Sequence, residues 1–330
     1  MRDFPTPRVV VSRCIEFDAV RWSGQIIRNE HIAKLKNAVE FIPVCPEVEI
    51  GLGVPRATLR LVEVDDEVRL MQSETGMDYT AKMKSFASSF LEGLGPVDGF
   101  ILMGRSPTSG LRGVKIYPRI GKVAAIRKGS GVFAGQVLKR YGHLAVEEEG
   151  RLNNSRIREH FLRKLYTLAD FRGISGTDDV SDLARFHRNN MLMLKSYNKS
   201  ELRALTRIVA NKDNRPLEVV LRDYEEHLHG ALKRAPRCDS TINVLESSMG
   251  HFSGRISGDE KDFFMDFVNR YREAQVPLIV PFDILRSWIV RFDDDYLRAQ
   301  TFFEPYPEEL MDIDSIIEAC DSRDYWKDVE

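Results

Sequence analysis

Hydrophobic and polar positions follow two successive regimes along the chain. In the first, short apolar runs alternate with stretches of helical spacing. Val9-Val10-Val11-Ser12 is β-branched and reads as a buried strand, and Ile32, Leu35 and Val39 then fall on one helical face within 31–39. Phe41-Ile42-Pro43-Val44-Cys45 reads as a second strand, followed by a Gly/Pro segment at 51–55 and strand-like runs at 58–64 and 68–71. A helix is expected over 80–94, a strand over 97–103, a helix opening at Gly129 and running to Tyr141, and a last strand at 144–146. Strands separated by helices predict an α/β domain with a mostly parallel, Rossmann-like sheet, whose ligands bind at the carboxyl ends of the strands.

After Glu147-Glu148-Glu149 the period becomes helical throughout. Helices are expected at 155–171, 178–197, 200–210, 217–233, 241–249, 259–273 and 282–298, with Ser257 and Glu260 as a capping box and Pro216 and Pro281 at helix starts. The expected organisation is an α/β domain over 1–150 and an all-α domain over 151–330.

Charge changes this picture only locally. The chain of 330 residues has a net charge of −2, yet residues 151–215 hold 14 Lys/Arg against 7 Asp/Glu, and the tail 303–330 holds 2 against 10. A basic segment followed by an acidic tail suits a polyanion-binding surface, or equally a set of solvated helix faces. No apolar run reaches the roughly 18 residues of a membrane span, and the N-terminus lacks the apolar core of a signal peptide. Cys14, Cys45, Cys238 and Cys320 are scattered without zinc spacing, which points to a reducing, cytoplasmic setting.

Three segments follow expected strands: Ser12-Arg13-Cys14, Pro43-Val44-Cys45-Pro46-Glu47 and Arg105-Ser106-Pro107-Thr108-Ser109-Gly110. Parallel strands would bring two thiols, a carboxylate and several hydroxyls to one edge, a setting for a soft metal, an iron–sulfur cluster or covalent sulfur chemistry. The other reading is that the cysteines are small buried hydrophobes. Gly129 to Gly135 could present amides to a phosphate or simply make a tight turn. His227 and His229, at i and i+2, do not share a helical face and make no metal pair.

These segments resemble the TudS-type thiouracil desulfurase family over roughly 8–147, above all through Pro43–Glu47 and its extension to Arg56. The second half is similar to YbgA-type helical domains, on Phe186-His187-Arg188-Asn189-Asn190, Asn243-Val244-Leu245, Met249-Gly250-His251-Phe252, 276–281 and 300–307. The fusion resembles desulfidases that convert 4-thiouridine in tRNA to uridine. The resemblance implies a [4Fe–4S] cluster on three cysteines, with Cys14 and Cys45 as ligands, Glu47 as the proton-transfer carboxylate and Ser106 orienting substrate or water. It departs at the third ligand, where Ser109 replaces cysteine, and at Val20, where many relatives have another cysteine. Three readings follow: an oxygen-ligated cluster, a ligand borrowed from Cys238 or the substrate, or a catalytically silent RNA-binding protein. A desulfurase of free thiobases is a further alternative. In the helical domain Arg185, His187, Arg188, Lys195 and Lys199 are the expected contacts to tRNA phosphates.

Overall fold

A computed structural model describes residues 3–311 and Trp326; Cys320 and most of the acidic tail lie outside the described residues. The chain divides into two compact units, 6–153, and 154–330 joined by 1–5.

The first unit runs β1 (Arg8–Ser12), α1 (Glu30–Leu35), β2 (Glu40–Val44), α2 (Pro46–Glu49), β3 (Leu59–Val64), β4 (Glu67–Gln72), α3 (Thr80–Gly93), β5 (Gly99–Leu102), β6 (Val114–Tyr117), β7 (Arg127–Gly129), α4 (Val132–Tyr141) and β8 (Ala145–Glu148). One sheet is parallel throughout, in the order β2-β1-β5-β8. Its central strand β1 buries Val9, Val10 and Val11 completely, as expected where both faces of a parallel sheet are covered. Helices α3 and α4 meet through Phe86, Phe90 and Phe133.

The expected single sheet is in fact two. Strands β3 and β4 form a hairpin whose turn residues, Asp65 and Asp66, both have positive φ, the backbone a two-residue primed turn requires. With β6 and β7 they make a separate mixed sheet, ordered β4-β3-β6-β7.

The second unit is helical: α5 (Ser155–Ile174), α6 (Val180–Tyr197), α7 (Lys199–Ala210), α8 (Leu217–Ala231), α9 (Cys238–Met249), α10 (Gly258–Arg272), α11 (Ile279–Phe292) and α12 (Asp295–Arg298). The capping box forms as expected, with Ser257 and the Glu260 side chain bonding reciprocally. The helix expected over 282–298 is broken at Asp293, which takes a left-handed conformation, and Pro281 lies inside the first turn of α11 rather than at its start. Phe4 packs edge-on against Tyr166, ring centres 6.1 Å apart, which ties the first residues to this unit. No described helix is long and apolar enough to cross a membrane.

Candidate active site

Sheet order fixes the site. Cys45 follows β2, Cys14 follows β1, the loop 103–110 follows β5 and Glu149 follows β8, so neighbouring parallel strands deliver all four segments to one edge. They line an open cavity of about 610 Å³, together with Glu47, Arg56, Trp22, Ser106, Thr108 and Ser109.

Each loop is held by its own bonds. Buried Glu16, with positive φ, accepts from the Asn29 amide and from Arg28, pinning the 13–29 segment that carries Cys14 and Trp22. Cys45 caps α2, its carbonyl taking the amides of Val48 and Glu49. The loop after β5 is fastened by the start of α4. The amides of Val132, Phe133 and Ala134 donate to the carbonyls of Pro107 and Thr108, and that of Gly131 to Gly110. The helix start considered for phosphate therefore spends its amides on this loop. A Cβ on Gly131 would overlap the Thr108 carbonyl, so only glycine permits the approach.

A hydrogen-bonded chain runs through the site. Both oxygens of Glu47 accept: Oε2 from Arg56 (Nε at 2.7 Å), Oε1 from the Thr108 hydroxyl at 2.8 Å. With its proton on Glu47, Thr108 is left to accept from the Ser106 hydroxyl, 2.8 Å away. Ser106 Oγ in turn takes the amides of Thr108 and Ser109 at 3.2 and 3.1 Å. Arg56 is almost fully buried and also donates to the carbonyls of Val20 and Gly53.

The two thiols have only long sulfur contacts: Cys14 to Met103 Sδ at 3.7 Å, and Cys45 to the Val20 carbonyl and Arg56 at 3.9 Å. Burial, reinforced by Cys45, Glu47 and Glu149, pushes the Cys14 thiol up to about 12. Burial also raises Cys45, against the pull of the Val48 amide. Burial raises Glu149 too, although its carboxylate accepts the Gly104 amide at 2.6 Å. A bound cation would reverse this balance by deprotonating the thiols outright. Ser109 is buried, its hydroxyl 3.4 Å from that of Thr108.

Among the described residues no group of three or more His, Cys, Asp or Glu is arranged to hold a metal. The soft or oxygen donors that the family's ligand positions bring to this cavity are two thiols and one hydroxyl. By its chemistry this set lacks the third thiolate of a three-cysteine cluster and would carry a cluster only with the Ser109 oxygen as one ligand. Cys238 is disulfide-bonded, contrary to the expectation of free thiols, and so supplies no thiolate.

The expected RNA contacts divide. Arg185 and Arg188 are exposed on α6 and Lys199 is exposed at the start of α7, with Arg185 paired to Asp182. Lys195 is half-buried and donates to Ser247 at 2.9 Å. His187 corrects the expectation. It is buried, with Nδ1 on the Tyr224 hydroxyl at 3.0 Å and Nε2 on Thr206 at 3.1 Å, and burial lowers it to about 4. Both ring nitrogens are spent inside the unit, so it cannot reach a phosphate.

Thr108, Arg56, Glu149 and Trp22 escaped assignment from sequence. The first two lie within the quoted motifs, Glu149 closes the acidic run taken as a domain boundary, and Trp22 stands two residues after Val20.

Comparison with known proteins agrees with both halves. Residues 9–149 match the 2-thiouracil desulfurase family. Residues 192–307 match DUF1722, a family of unknown function. The curated protein YbgA of Escherichia coli (strain K12), described as uncharacterized, is 23% identical over 129 residues, covering 39% of this chain and 76% of its own. The solved structure of the [4Fe-4S]-dependent thiouracil desulfidase TudS (DUF523Vcz) aligns at 28% identity over 45% of this chain and 94% of its own, with a TM-score of 0.35. The chain thus joins a segment that matches the 2-thiouracil desulfurase family to one that matches DUF1722, and it is similar to YbgA.

Proposed function

We propose that the α/β unit removes sulfur from a thiolated uracil and replaces it with oxygen from water, and that the base is 4-thiouridine carried in tRNA. The observation that carries the reading is the convergence of Cys14, Cys45 and Ser109 with the Ser106–Thr108–Glu47 chain on one cavity. An iron–sulfur cluster held by those three donors would supply a soft Lewis acid for thiocarbonyl sulfur.

The protein's own groups handle protons. The net reaction exchanges no electrons: a thiocarbonyl and water give a carbonyl and hydrogen sulfide, so both protons of water finish on sulfur. Glu47, held by Arg56, takes a proton from water positioned at Ser106, with Thr108 as the link, and gives it back to the departing sulfur. Trp22, 46% exposed on the cavity wall, offers a flat apolar face to a pyrimidine. Arg185, Arg188 and Lys199 are the exposed cations that support contact with the tRNA backbone.

The test is iron and acid-labile sulfide per chain after anaerobic reconstitution, followed by assay of 4-thiouridine loss from bulk tRNA, for wild type and Ser109→Cys. About four irons per wild-type chain with loss of the thionucleoside supports the proposal. Near-zero iron in wild type, restored by Ser109→Cys, replaces it with a catalytically silent tRNA-binding protein, the reading that Ser109 itself favours. Faster release of sulfur from free 2-thiouracil than from tRNA would make free thiobases the substrates.

A further inference from the structure

The helical unit contains its own cavity of about 230 Å³, walled by α5, the end of α6, the starts of α9 and α11, the end of α10 and residues 302–306. Its apolar walls include Leu162, Phe282 and Phe302. Among the described residues its polar lining includes Arg156, Arg158 and Arg163 and the carboxylate of Glu159.

Two lining groups have donors left over. Arg163 is 7% exposed. Its Nε is spent on Glu159, whose other oxygen takes the Tyr306 hydroxyl, and its guanidinium lies 5.9 Å from the Phe302 ring. Among the described residues neither Nη1 nor Nη2 has an acceptor, and the hydroxyl of Tyr271, 8% exposed, has no partner. Among the described residues the sealed polar side-chain atoms without partners are Arg13 Nε and Arg69 Nε, both in the other unit, so the Arg163 and Tyr271 donors are open to the cavity they line.

A buried guanidinium with unused N–H groups beside a free phenol calls for an acceptor-rich anion. His160, on the same wall, is lowered by burial to about 3 and stays neutral, with Nδ1 on the Tyr197 hydroxyl at 3.1 Å. The volume equals roughly seven or eight waters, too small for a stretch of polynucleotide and suited to about ten non-hydrogen atoms. We propose that this cavity binds a small organic oxyanion, its carboxylate or phosphate head on Arg163 and Tyr271 and its compact apolar body against Leu162, Phe282 and Phe302. The site is independent of the desulfidase reading, and neither family description assigns it.

Titration calorimetry on the full chain with benzoate, phenyl phosphate and neutral benzyl alcohol tests the proposal. Saturable binding of an anion, with none of the alcohol at the same concentrations, is expected. The tighter of the two anions identifies the head group. Tyr271→Phe, which removes only the hydroxyl, should weaken binding about tenfold, and Arg163→Gln should weaken it further. Should Arg163→Gln fail to fold, Tyr271→Phe alone decides. Absence of saturable binding to wild type, or anion binding unchanged in folded Tyr271→Phe, overturns the proposal.

Discussion

At the scale of single residues, Thr108 is the side chain on which the proton path depends. Its hydroxyl stands between Ser106 and Glu47, and valine has the same shape without it. Thr108→Val should therefore lower kcat by about tenfold to a thousandfold with little change in KM, while Thr108→Ser retains most activity. An unchanged kcat in Thr108→Val would remove the relay from the mechanism. Trp22→Ala should act on the other parameter, raising KM about tenfold for a substrate base that stacks on it, with Trp22→Phe largely restoring binding. The residues that sequence reading found share one property: Cys14, Cys45, Glu47, Ser106 and Ser109 lie in segments that leave the ends of parallel strands, which chain order brings to one edge. Thr108 and Arg56 matter through hydrogen bonds that exist only once the loops have closed. His187 was misplaced because it shares a segment with Arg185 and Arg188 but lies on the inward face of α6, a phase that neighbouring charges do not reveal.

At the scale of elements, the loop after β5 owes its shape to α4. Gly131→Ala forces a methyl group against the Thr108 carbonyl and must push the loop away from the helix start. The expected cost is on the order of 1–3 kcal/mol, with a matching loss of reconstituted iron, measured by urea unfolding and iron analysis. Far from that site, Ser257→Ala should cost about 1 kcal/mol by removing one half of the capping box, with no effect on iron content. The parallel strands and most helices were legible because their apolar periods are long or their β-branched runs unbroken. Of the second sheet only the hairpin strands, expected at 58–64 and 68–71, were legible. Strand β6 alternates over only four residues and β7 has three, with Arg127 and Lys128 exposed, so neither is long enough to stand out from the loops around it. The break at Asp293 depends on a left-handed residue, which composition marks only weakly.

At the scale of the whole molecule, the two units should respond differently to acid. His160 and His187 are held at about 3 and about 4, below the ordinary 6.5, by burial, with Lys164, Arg163 and Arg156 adding to the effect at His160. The unfolded chain takes up these protons near pH 6.5 and the folded unit refuses them until much lower pH. Their contribution is thus fully present above pH 6.5 and is lost as pH falls through the window to about 3–4. At about 1.4 kcal/mol per pKa unit, each histidine withdraws on the order of 3 kcal/mol across its window, a large share of a normal domain's stability. Urea unfolding of the helical unit, followed between pH 7 and 4, should move to lower denaturant steadily. A midpoint independent of pH would show that these rings are not held neutral.

The short N-terminal arm has a consequence for the order in which the molecule is made. Phe4 leaves the ribosome about 160 residues before Tyr166, against which it finally packs. The α/β unit, complete at residue 153, can fold in that interval as a closed domain. The helical unit cannot finish until its own first residues have been kept waiting through the synthesis of another domain. A break in the chain after residue 153 therefore leaves one part of the helical unit on the wrong fragment, and the seam between two sequence families is not the seam along which the folded chain divides.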